Sequence, residues 1–154
     1  MLFDHLLPRE TPTADTVLIP WHECAARALR KTTHNGVAAS ILIPLGVSLR
    51  DGDVLAADTG QSTARVSVPP ADVWVIQFTS PAQLAQVALE LGNLHVPVET
   101  NTAGELIVIP DGPTREVLER YGARFVQQSR IFAPMRVTVL QGVKLAEGFA
   151  IKRG

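Results

Sequence analysis

Two helix frames, each opened by a cap and a proline and closed by a glycine, stand in the second half of this chain with strand-like runs around them. The first is Ser80-Pro81-Ala82-Gln83, then Leu84, Val87, Ala88 and Leu91 at helical spacing, then Gly92. The serine cap, the proline at the first helical position and the glutamine three residues after the cap suit a first turn with open amides. The apolar positions give one face to bury, and Gly92 is placed to end the helix in the left-handed conformation. The second frame is Asp111-Gly112-Pro113, with Val117, Leu118 and Tyr121 inward and Gly122 as its stop. Residues 73–78, 95–99, 105–109 and 124–128 read as strands, and 101–104 as a turn. The resulting order, βαββαβ, is the ferredoxin-like arrangement.

The first half has a different grammar. Residues 17–21 form a short β-rich run, followed by a polar stretch from His22 to His34 and the turn signal Asn35-Gly36. An apolar run covers 37–44. Asp51-Gly52 and Asp58-Thr59-Gly60 mark two more turns, and 64–68 alternates Ala64, Val66 and Val68 with polar residues. Alanine-rich 23–29 would suit a helix, but its β-like flanks favour a strand. Short strands with frequent turns predict a small all-β sandwich or barrel. The fold class is therefore mixed β and α+β, with an N-terminal β domain (residues 1–70) and a ferredoxin-like domain (71–136) meeting near Pro69-Pro70. Residues 130–135, with Phe132 and Pro134, are expected as an extended end docked on the sheet. Residues 137–154 are expected to form a partly mobile tail.

Composition narrows the function classes. Hydrophobic residues are 46% of 154, enough for a packed core. The net charge of -1, with no basic block, leaves no electrostatic footprint for nucleic acid. No apolar run approaches the ~20 residues of a membrane span, and residues 1–10 lack a signal core, so a cytoplasmic protein is expected. The single cysteine, Cys24, excludes an intrachain disulfide. No nucleophile-elbow, P-loop, H-E-x-x-H or C-x-x-C pattern is present, and an enzyme is not expected. His22 and Cys24, two apart, read as an exposed ring beside a small, partly buried residue rather than a catalytic pair. His5 and His34 read as solvated.

His95 is the remaining candidate, in Leu91-Gly92-Asn93-Leu94-His95-Val96-Pro97. Gly92 allows a sharp turn, the Asn93 amide is suited to the freed helix-end groups, and Pro97 removes an amide donor, placing the next strand at an edge or bulge. Such a position can expose an imidazole at a subunit interface as a metal ligand. A purely structural histidine is the competing reading.

The pattern GN-x-H-x-P after a capped helix resembles the nickel-site signature of the UreE family of urease accessory proteins. The likeness runs from about Leu18 to Pro134. It includes Leu49-x-x-Gly52-Asp53-x-Leu55, Val66-x-Val68, Leu89-x-Leu91-Gly92-Asn93-x-His95-x-Pro97, Asp111, Leu118, Gly122 and Phe132-x-Pro134. The resemblance implies a peptide-binding-like β domain before a metal-binding ferredoxin-like one. It also implies a homodimer that binds nickel through the motif histidine, matched by His95, from both protomers. Delivery to urease with the accessory GTPase is implied as well. Zinc or copper would also suit imidazole in vitro. Three departures stand out. Leu94 replaces the usual arginine, 105–111 lacks a further histidine, and 137–154 has none. One metal per dimer is therefore expected, completed by backbone, water, a carboxylate such as Glu99, or the GTPase. Imidazole ligates only when neutral, so acidification from pH ~7 to ~5 is expected to weaken binding. The rival reading is an assembly scaffold with weak or no physiological metal binding.

Overall fold

The computed structural model describes residues 1–57 and 62–135. The first unit is a six-stranded sheet of β1 (Leu2–Leu7), β2 (Thr16–Leu18), β3 (Ala28–Thr32), β4 (Ala38–Leu42), β5 (Val54–Ala57) and β6 (Thr63–Ser67). Their spatial order is β2-β6-β5-β1-β4-β3. The β1–β4 and β2–β6 pairs are parallel; the others are antiparallel. The sheet curls toward a barrel, and the amide of His34, just past β3, donates to the Thr16 carbonyl in β2 at 2.7 Å. Alternate residues point inward, so Phe3, Val17, Ile41, Leu55, Ala64 and Val66 share one core.

Three local expectations for this unit are corrected. Residues 2–7, not anticipated as a strand, form β1 although Asp4 and His5 interrupt the apolar pattern. Neighbours on both sides, β4 and β5, hold it. The run 17–21 is a strand only to Leu18, because Pro20 has no amide to pair. Residues 23–29 are not one strand. Trp21–Glu23 forms a single 3-10 turn, with the Glu23 amide on the Pro20 carbonyl at 2.9 Å, and pairing starts only at Ala28. The anticipated turn at 58–60 lies outside the described residues, as does the tail at 137–154.

The second unit follows the expected order: β7 (Ala71–Gln77), α1 (Pro81–Asn93), β8 (Val98–Thr100), β9 (Leu106–Val108), α2 (Gly112–Arg120) and β10 (Arg124–Arg130). The sheet order β10-β7-β9-β8, antiparallel throughout, is the ferredoxin-like topology. Both helix starts are capped as their sequences require: Ser80 Oγ accepts from the Gln83 amide at 3.1 Å, and Asp111 from the Thr114 amide at 2.7 Å. The helices cover one sheet face, packing Val87, Leu91, Val117 and Leu118 against Trp74, Ile76 and Val108. Ala88, expected inward, is exposed, because the buried stripe of α1 is narrow.

The opposite face carries Val73, Val75 and Ile107, covered by Phe132 of the segment after β10. That segment crosses the sheet, and the Met135 amide donates to the Val98 carbonyl on β8 at 2.7 Å. The expected docked end is therefore present. Phe132 also meets Trp21 edge-on, with ring centroids 5.0 Å apart, so Trp21 touches the cores of both units.

Candidate metal-binding site

The functional candidate sits where α1 ends. The amide of His95 donates to the Gly92 carbonyl, and that of Val96 to the Leu91 carbonyl, both at 3.0 Å. This pair of bonds is the Schellman closure, with His95 in the left-handed position and Val96 turned back onto the core that contains Leu91. The placement differs from the sequence expectation in three ways. Gly92 is helical, and His95 takes the left-handed conformation, at φ +56. The strand begins at Val98 rather than at His95, so His95 lies in a turn. Backbone bonds, rather than the Asn93 amide, close the helix end. Among the described strands the one after Pro97 does lie at the sheet edge, as expected: β8 pairs with β9, and its other side takes the Met135 amide on the Val98 carbonyl.

His95 is exposed, and its ring has no hydrogen-bond partner among the described residues. Leu94 beside it is 46% exposed. The solvent side of α1 leading to it holds Ala82, Ala85, Gln86, Ala88, Leu89, Gly92 and Asn93, without a charge, and Leu89 is 67% exposed. The α2 surface is of the opposite kind, with Arg115, Glu116, Glu119 and Arg120 all solvated.

The other candidates stay apart from His95. Among the described residues, no group of three or more His, Cys, Asp or Glu side chains is arranged to hold a metal. Glu99, considered as a further ligand, is committed elsewhere: one oxygen accepts from Arg130 at 2.7 Å and the other from the Ala133 amide at 2.8 Å. It fastens the crossing segment instead. His5 pairs with Asp4 on β1, His34 is exposed in the β3–β4 turn, and His22 lies edge-on to Trp21. Cys24 is buried, and burial, reinforced by Asp53 and Glu23, pushes its thiol up to about 11. That raised pKa favours the protonated thiol at neutral pH, the less reactive form.

Family models match both units. The one described as the N-terminal domain of the UreE urease accessory protein covers residues 3–67, and the one described as its C-terminal domain covers 71–147. The chain belongs to the UreE family of urease accessory proteins. Within the UreE family it is 32% identical over 115 residues to the urease accessory protein UreE of Escherichia coli O157:H7, covering 73% of this chain and 74% of that protein. The UreE of Corynebacterium efficiens is 31% identical over 123 residues, covering 79% and 80% respectively. The UreE of Burkholderia orbicola is 32% identical over 121 residues, but the chain spans only 58% of that longer protein. No helix among the described residues is long and apolar enough to cross a membrane.

Proposed function

We propose that this chain is a nickel chaperone for urease assembly. Two copies pair so that the two His95 imidazoles approach across a two-fold axis and hold one nickel ion as cargo. The ion passes to the urease apoprotein with the accessory GTPase. In this reading residues 1–70 are a peptide-binding-like β domain and 71–136 the metal-binding domain. The protein works in the cytoplasm, catalyses nothing itself, and needs neither nucleic acid nor a membrane.

One observation carries the proposal: an exposed imidazole, with no hydrogen-bond partner among the described residues, follows a charge-free helix face. A single imidazole is a weak site, and a C2 pair of copies doubles it without any new residue. The alanines and Leu89 of α1, with Gly92 facing open space, offer a neutral surface for close approach beside the ligand. Imidazole is a good nickel ligand, although zinc and copper suit it too. Two imidazoles with water hold an ion without enclosing it, as release to a partner requires.

The absence of a second ligand near His95 among the described residues favours one alternative, an assembly scaffold with weak metal binding. Calorimetric nickel titration of the protein and of His95→Ala, with light scattering on both, separates the two. One ion per dimer, lost in the variant while the dimer persists, is the expected result. Equal binding by both proteins would place the site elsewhere. No binding by either, with partner association unaffected by metal, would leave the scaffold.

A further inference from the structure

Both helices of the second unit end with the same closure. In α2 the Gly122 amide donates to the Glu119 carbonyl at 3.1 Å and the Ala123 amide to that of Leu118 at 2.9 Å, and the left-handed position is a glycine at φ +61. In α1 that position is His95, the one non-glycine residue with positive φ among the described residues. A Cβ there crowds the adjoining carbonyl, a strain that glycine avoids. Strained backbone of this kind persists only where its surroundings over-determine it, and it concentrates at functional positions.

The surroundings of His95 do over-determine it. Two backbone bonds fix the turn from one side. On the other side, Val96 packs against the cluster that contains Leu91, and Pro97 biases Val96 toward an extended backbone. The side chain of His95 itself makes no hydrogen bond among the described residues, so its ring is not what holds the turn.

We propose that the closure of α1 is a positioning device for the metal ligand. The strained turn at His95 fixes the direction of its Cα–Cβ bond, and Leu91 and Val96 are the positioning residues that hold the turn. The proposal rests on the reading of His95 as a ligand. An imidazole on a loose loop must be ordered when it meets an ion, twice over in a symmetric pair; a locked backbone has already undergone that ordering.

Two comparisons test this. The first sets His95→Gly against His95→Ala, both without an imidazole, in urea unfolding at one protein concentration. At a right-handed helical position alanine is the more stable; at a left-handed one the order reverses. The expected result is His95→Gly more stable than His95→Ala by about fivefold in the unfolding equilibrium. Alanine equal to or better than glycine would overturn the lock.

The second comparison loosens Val96 and leaves His95 in place. Val96→Gly should speed amide exchange at 95 and 96 and weaken nickel binding by about tenfold, the scale seen when a group orienting a metal ligand is lost. Val96→Ile should restore both, and Val96→Ala serves as the graded change if the glycine variant does not fold. Undiminished nickel affinity alongside faster exchange would refute the positioning role. Failure of the wild type to bind nickel would instead refute the ligand reading, and the glycine–alanine order would still report on the strain.

Discussion

Where a side chain's polar atoms go separates residues that fasten the fold from those left free to meet a ligand. Both oxygens of Glu99 accept hydrogen bonds, from Arg130 and from the Ala133 amide, whereas the ring of His95 is uncommitted among the described residues. Glu105 belongs with the fasteners. Its carboxylate accepts from Asn101 at 2.8 Å and Gln77 at 3.2 Å, and the first bond above all holds its pKa below the usual glutamate range. A carboxylate depressed in the folded state contributes stability above its unfolded pKa and loses it as pH falls through the folded value. Glu105→Gln should therefore be the less stable protein at pH 7. The difference should shrink as pH falls through and below the ordinary glutamate range. Thermal melts of both proteins across that range check this, and a gap that persisted in acid would contradict the assignment.

At the scale of elements, the ends of α1 and α2 show what local sequence controls. The cap residues Ser80 and Asp111 and the prolines after them start each helix where the sequence requires. Gln83 extends the effect beyond its own helix: its side-chain oxygen accepts from the Thr79 amide at 2.9 Å while its Nε2 donates to the Tyr121 carbonyl at 2.9 Å. The first turn of α1 is thereby tied to the end of α2. Ser80→Ala should cost about 1 kcal/mol, the usual loss of an N-cap, read as a lower urea midpoint with an unchanged slope. The helix stops were less legible. Gly122 stops α2 as its sequence indicates, at φ +61. Gly92 invites the same reading and is helical. The difference arises because the left-handed residue is the one that lets the next side chain return to the core, and in α1 that side chain is Val96.

At the scale of the whole molecule, the segment after β10 joins the two units. Phe132 is 1% exposed, fills the open face of the second sheet and meets Trp21 of the first unit. Phe132→Ala should destabilise the second unit by roughly 3–5 kcal/mol, the usual cost of emptying a buried aromatic site. It should also separate one unfolding transition into two, because the ring contact to Trp21 is lost. Differential scanning calorimetry reads both effects, and a single unshifted transition would rule out the coupling.

By itself the sequence determined what depends on neighbours along the chain. That includes two capped helices, the Asn35-Gly36 turn, the alternation of residues 64–68 and the βαββαβ order, because caps, turns and periodicity act within a few residues. Its motif around His95 also carried the family. Tertiary structure alone decided what depends on distant partners. Strand β1 exists despite Asp4 and His5 because β4 and β5 flank it. Residues 23–29 are divided because pairing with β4 begins only at Ala28. Glu99 is withdrawn from His95 because Arg130 and Ala133, more than 30 residues away, claim both its oxygens. His95 itself was visible as a residue type, but its left-handed backbone was not. That conformation follows from where Val96 must pack, and no local rule for histidine contains it.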